Sequence, residues 1–125
     1  MINKIFLRTD YIWAMKLRME TGSIKIRLSP TEIEAFNAYH NLEEKVRITK
    51  SNYFTYVISI DDTSESCLVL FEQNALNIHV PEKKVEKWLN SNQVGIKETI
   101  VTEEGNEIVL TLEEDLPPRK HKKRN

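Results

Sequence analysis

The sequence predicts an α+β fold of two ββαββ repeats, with about eight mostly antiparallel strands in a curled sheet or barrel and two helices packed on one face. Apolar and polar residues alternate over many short stretches, which is the period of a half-buried strand. A strand runs into a proline and then a helix twice, at Pro30 and Pro81. The apolar pattern around Ile24 recurs about fifty positions later around Leu76, which indicates an internal repeat and is consistent with an ancient duplication.

The first repeat begins with two alternating stretches that flank the turn residues Thr21-Gly22-Ser23, a pattern typical of a hairpin. Ser29 is the predicted N-cap of the following helix, Pro30 its first residue and Glu32 the partner that completes a capping box. The helix is expected to end near His40. The predicted strands of this repeat are residues 16–20, 24–28, 44–49 and 53–60.

The second repeat has the same order, with its helix beginning at Pro81. The aliphatic face of each strand is expected to pack under the helices, and in the fifth strand this assigns Leu68 and Leu70 to the core. The predicted strands are residues 67–72, 76–80, 95–102 and 106–112.

The composition is that of one globular domain, since 125 residues with 40% apolar and 30% charged side chains suffice for a single core. Cys67 is the single cysteine, so an intrachain disulfide is excluded and a reducing, cytoplasmic location is predicted. Its apolar surroundings indicate a buried thiol, and no metal-ligand spacing accompanies it. Neither a membrane-spanning run nor a secretory signal is recognisable, so no membrane partner is expected.

The net charge of −1 conceals an acidic body and a basic end. We divide the chain into an N-terminal extension (1–14), a single α+β domain (15–116) and a basic disordered tail (117–125). Such a tail either touches nucleic acid or an acidic protein, or serves as a solubilising end without a partner. Its cations are Arg119, Lys120, Lys122, Lys123 and Arg124.

The polar face of the predicted strands is strongly basic. Three interpretations of this face are open: a solvated sheet face, an anion-binding surface for phosphate or carboxylate groups, or a protein-protein surface. A phosphate-bearing small molecule is the partner expected for the second reading. The candidate anion ligands are Lys16, Arg18, Lys25, Arg27, Lys45, Arg47 and His79, and Lys97 and Asn77 share their parity.

Catalytic chemistry finds no support in the spacing of residues. No Ser-His-Asp or Cys-His grouping can be argued, and the three glycines are isolated, so a phosphate-binding glycine loop is excluded. We therefore predict no catalytic residue and no cofactor. Whether the protein is an enzyme stays open at this point, with a non-catalytic role favoured.

The segment MKLRMETGSIKIRLSPTEIEAF, residues 15–36, resembles the start of a family of small uncharacterised bacterial proteins that open with M-K-I-R-x-x-G-N-S-I-R-x-R-L. NLEEKVRI, FTYVI and NALNIHVPEKKVEKWLNSNQVGI resemble its later segments, and the resemblance ends near Leu112. It implies a small α+β protein, a domain of unknown function. Since residues 1–14 precede the family's usual start, one hypothesis makes Met15 the initiator and the extension an artefact.

The order of eight strands and two helices is also similar to the triphosphate-tunnel (CYTH-like) fold, whose members hydrolyse phosphoanhydrides with a divalent metal. That family's first strand reads Glu-x-Glu-x-Lys, whereas this chain has Lys16-Leu17-Arg18-Met19-Glu20. The leading hypothesis is therefore a non-catalytic binding module with a basic, anion-binding sheet face. The alternative is a phosphohydrolase or phosphate-ligand binder of the tunnel type, with Glu20 and Glu107 as ligands of Mg²⁺.

Overall fold

The computed structural model describes residues 15–115, and these form eight strands and two helices, which confirms the predicted α+β class. The expectations for the extension (1–14) and the basic tail (117–125) lie outside the described residues. The elements are β1 (Lys16–Glu20), β2 (Ser23–Leu28), α1 (Pro30–Tyr39), β3 (Asn41–Arg47), β4 (Tyr53–Asp61), β5 (Leu68–Glu72), β6 (Ala75–Pro81), α2 (Glu82–Leu89), β7 (Gly95–Val101) and β8 (Glu107–Glu114).

The strands form two four-stranded sheets. The first sheet has the order β1-β2-β8-β7 and the second has the order β3-β4-β6-β5. In each, the outer pairs are antiparallel and the central pair, β2–β8 or β4–β6, is parallel. The sequence predicted either a curled sheet or a barrel. Among residues 15–115, neither of the two sheets closes into a barrel.

Both sheets combine two strands from each half of the chain in the same plan. Ile24 pairs with Leu110 across the first parallel junction, and Leu76 pairs with Tyr56 across the second. The offset that relates Ile24 to Leu76 would match Tyr56 with Ile108, whereas equivalent sheet positions match it with Leu110, two residues further on. Common descent of the halves stays a prediction.

One hydrophobic core joins buried residues of both sheets and both helices. Ser29 and Glu32 form the predicted capping box at the start of α1, and α1 buries Phe36 in the core. The second helix starts after Pro81 without a side-chain cap and buries Val85 and Trp88. Within residues 15–115 no helix has the length and apolarity required to cross a membrane.

The fifth strand has the opposite parity to the one predicted. Gln73 and Asn74 have positive φ angles and form a two-residue turn, so that Val69 pairs with buried Ile78. Because the turn fixes the register, Leu68 and Leu70 face outward and are 45% and 39% exposed. The alternating pattern of the first and third predicted strands also assigns Met19, Val46 and Ile48 to the core, and these three residues are exposed as well.

Candidate functional site

The hairpin β1–β2 brings four of the predicted anion ligands onto the outer face of the first sheet. Lys16 lies opposite Arg27, and Arg18 lies opposite Lys25. Together with Leu17 these four residues line one surface depression. Like charges opposite each other on a sheet destabilise it, so the arrangement has a cost that a bound anion would relieve.

Two of these cations are already paired with carboxylates of the same sheet. The Arg27 Nε lies 2.7 Å from the Glu113 Oε2, and the Lys16 Nζ lies 2.7 Å from the Asp115 Oδ2. Neither acid was predicted at this face, because the alternating pattern of the last strand ends at Leu112. The strand continues to Glu114, and its pairing with β2 places Glu113 opposite Arg27.

Arg18 and Lys25, the other two cations of the depression, lie in one transverse line with Thr111 and Lys97. We call these four residues, one from each strand of the first sheet, the basic row. Arg18 has a weak partner in Glu20 at 3.5 Å, with both side chains mostly exposed, and such pairs contribute little. For Lys25 and Lys97, residues 15–115 supply no carboxylate within ion-pair distance. The row depends on the parallel β2–β8 pairing, for which the sequence gives no signal.

Lys45 and Arg47 lie on β3 in the second sheet, and the structure does not bring them together with the basic row. Both cations lie over the ring of Tyr53, with the Lys45 Nζ 5.8 Å and the Arg47 Cζ 4.8 Å from its centroid. Arg47 also donates a hydrogen bond of 2.8 Å to the backbone carbonyl of Lys50. These contacts give the two side chains a local role at the end of the second sheet.

His79 also belongs to the second sheet, on β6. Its Nδ1 lies 4.0 Å from the Oδ2 of Asp61. The backbone N–H and the hydroxyl of Thr63 both donate to Asp61, and together with the nearby His79 they hold the pKa of this carboxyl below its ordinary value. His79 therefore faces an ionised carboxylate, which competes with any external anion.

The two acids proposed for the metal-dependent alternative do not form a metal site in the described part of the chain. Glu20 contacts Arg18, and Glu107 opens β8 as an exposed residue. No group of three or more His, Cys, Asp or Glu side chains suited to a metal ion is present among residues 15–115. The phosphohydrolase hypothesis thus gains no supporting observation.

Cys67 is buried, as predicted, immediately before β5. Its backbone N–H donates to the carboxylate of Glu98, which also lies 3.5 Å from the Lys84 Nζ. Burial, and then the Glu98 carboxylate, raise the pKa of the thiol to about 12. A thiol that stays protonated is a poor nucleophile, so Cys67 is not a candidate catalytic residue.

Comparison with known proteins gives a family match without a function. A profile described as a family of unknown function (DUF7009) matches residues 15–123. This confirms the predicted resemblance to a family of unknown function, and the match runs past Leu112, where the resemblance was expected to end. Neither a curated protein nor a solved structure matches the chain, and the likeness to the triphosphate-tunnel fold gains no support.

Proposed function

The chain belongs to the DUF7009 family, and since that membership assigns no activity, we propose from the geometry of the first sheet that the protein is a non-catalytic binding module for anions. Its ligand carries at least two phosphate or carboxylate groups. The observation that supports this proposal best is the basic row, in which Lys25 and Lys97 flank Thr111 and lack a carboxylate partner among residues 15–115.

The spacing of the row favours a ligand with more than one charged group. Neighbouring strands are about 4.8 Å apart, so the Cα atoms of Lys25 and Lys97, separated by one strand, are roughly 10 Å apart. Their flexible side chains span this distance around two anionic groups, and the Thr111 hydroxyl lies between them as a donor. Arg18 extends the row at the β1 edge, where its guanidinium is suited to bidentate contact.

The paired cations have a supporting role in this proposal. Arg27 and Lys16 are held by Glu113 and Asp115, and these carboxylates limit the positive charge to one side of the depression. Within this depression, an anion therefore finds its strongest attraction at Arg18 and Lys25, next to Thr111 and Lys97 of the basic row. The sequence hypothesis of seven ligands is thereby reduced to two of its members, joined by Lys97 and Thr111.

The test is a thermal-shift and equilibrium-binding series at low salt with inorganic phosphate, pyrophosphate, tripolyphosphate, ATP and citrate. Ligands that bind the folded state raise the melting temperature, and we expect larger shifts for the ligands with several charged groups. The variant K25A/K97A should lose most of the shift. Because exposed charges are screened by salt, the shift should also shrink as sodium chloride is added.

The matched control is Lys83→Ala, which removes an exposed cation of α2 and should leave the shifts unchanged. Equal shifts in the wild type and in K25A/K97A would overturn the proposal, as would the absence of any shift across the series. Incubation of the same ligands with protein and Mg²⁺ should release no phosphate, and sustained release would make the alternative of a phosphohydrolase the better description.

A further inference from the structure

The edge strand β5 is the apolar counterpart of β1. It reads Leu-Val-Leu-Phe-Glu, and Leu68, Leu70 and Phe71 are all substantially exposed. Edge strands are usually protected by charged side chains, because their unpaired backbone groups are a template for another strand. The other edges of the two sheets have this protection: β1 carries Lys16, Arg18 and Glu20, β3 carries Glu43, Glu44, Lys45 and Arg47, and β7 carries Lys97 and Glu98.

The register identifies the backbone groups that point away from β6. Glu72 and Ala75 flank the two-residue turn and therefore form a hydrogen-bonded pair. Because such pairs alternate along an antiparallel ladder, Leu70 and Asn77 form the next hydrogen-bonded pair. Consequently the N–H and C=O groups of Val69 and Phe71 point outward. The N–H of Cys67 also points outward, and it donates to the Glu98 carboxylate. No described strand pairs with the outward groups of Val69 and Phe71.

We propose that β5 is a homodimerisation edge, at which a second copy of this chain adds its own β5 in antiparallel orientation. A two-fold axis at Leu70 places Val69 opposite the partner's Phe71 and Phe71 opposite the partner's Val69. These are the residues with outward backbone groups, so each pair forms two hydrogen bonds. The second sheets of the two copies then join into one sheet of eight strands.

The side chains of β5 suit this symmetric pairing. Leu70 meets the partner's Leu70 on the outer face, in a non-hydrogen-bonded pair, where side chains are closest. On the inner face Val69 and the partner's Phe71 form an aromatic and β-branched pair, a combination that stabilises sheets. Since no like charges meet at the axis, the edge is complementary to itself. The same operation on β1 would place Arg18 against the partner's Arg18, which like-charge repulsion opposes.

Sedimentation velocity of the full chain over a range of concentrations tests the dimer. We expect a species of two chains for the wild type and of one chain for Leu70→Lys, which puts two ammonium groups at the axis. The matched control is Val101→Lys on the edge strand β7, where the side chain is 64% exposed, and it should sediment like the wild type. A wild type that stays a single chain at every concentration would overturn the proposal and leave this edge to a strand of a different protein.

Disulfide capture tests the register and covers the case in which Leu70→Lys fails to fold. In a Cys67→Ala background, which removes the single native cysteine, Leu70→Cys should form a disulfide-linked dimer under mild oxidation. A non-hydrogen-bonded antiparallel pair has Cα atoms about 4.5 Å apart, within the range for a disulfide. Leu68→Cys should not cross-link, because the axis places it opposite the partner's Glu72. Equal cross-linking of both variants, or of neither, would contradict this interface.

Discussion

The hairpins β1–β2 and β5–β6 share one geometry and differ in the chemistry of their outer faces. Each forms one edge of its sheet, turns through two residues and continues into a helix. In order along the edge strands, the outward residues are Lys16, Arg18 and Glu20 in one hairpin and Leu68, Leu70 and Glu72 in the other.

This difference indicates that the buried faces of the two hairpins are constrained by folding, whereas their exposed faces are not. The inward residues of β2 and β6 are equally apolar, since Ile26 and Ile78 are both completely buried. The outward residues of the same strands change from Lys25 and Arg27 to Asn77 and His79. Because folding depends on the first set, the second set is free to differ. The two proposals assign it anion binding at one hairpin and pairing with a second copy of the chain at the other.

The largest expected effect is that of truncating equivalent core residues, which tests whether the buried faces of the two hairpins are equivalent. Ile26→Ala and Ile78→Ala should each lower the free energy of unfolding by about 2–5 kcal/mol, since both remove fully buried methyl groups and leave a cavity. Urea denaturation at one fixed protein concentration measures both. If one variant costs less than about 1 kcal/mol, a value typical of surface positions, the two inner faces are not equivalent.

Removal of the charges on β1 tests the difference between the outer faces of the two hairpins. The double variant K16L/R18L gives β1 an apolar edge like that of β5, so each protein would carry two unprotected edges. We expect concentration-dependent assembly beyond the dimer, because two separate edges allow open-ended chains. Sedimentation velocity would show species of three and more chains.

The control for this variant is K16Q/R18Q, which removes the same charges and keeps both side chains polar. It should weaken anion binding without promoting larger assemblies. If K16L/R18L sediments like the wild type, the charges on β1 do not protect that edge, and the contrast between the hairpins has no consequence for assembly.

The sequence was sufficient for features that depend on local patterns. Alternation places eight strands, and the Ser29, Pro30 and Glu32 pattern predicts the capping box that the structure contains. Alternation failed at β5, where every residue from Leu68 to Phe71 is apolar and period two cannot choose a face. There the turn at Gln73 and Asn74 decides the register.

The candidate site was less predictable because it depends on pairing between distant segments. The basic parity of β1 and β2 is visible in the sequence, and the structure does place Lys16, Arg18, Lys25 and Arg27 together. The pairing of distant strands decides the rest of the site. It places Lys45 and Arg47 in another sheet, and it places Thr111 and Lys97 beside Lys25. Local periodicity carries no information on that choice.

The smallest predicted effect concerns the residues that precede β1 and β5. Met15 and Cys67 are both buried, at 3% and 4% exposure, but only Cys67 ionises. Its pKa rises from an ordinary 9.0 to about 12 in the folded protein, because burial and Glu98 oppose the thiolate. Above pH 9 the unfolded chain therefore loses this proton first, and the free energy of unfolding should fall between pH 9 and 12.

Comparison with Cys67→Ala isolates this contribution, because every other titrating group is common to both proteins. Below pH 9 the free energies of unfolding should run parallel, offset by the cost of the truncated side chain. From pH 9 upward the wild type should lose stability faster, so that the offset narrows. Curves that stay parallel to pH 10.5 would mean that the thiol is solvated in the folded state. In that case the start of β5 is open to water, unlike the start of β1, where Met15 is buried.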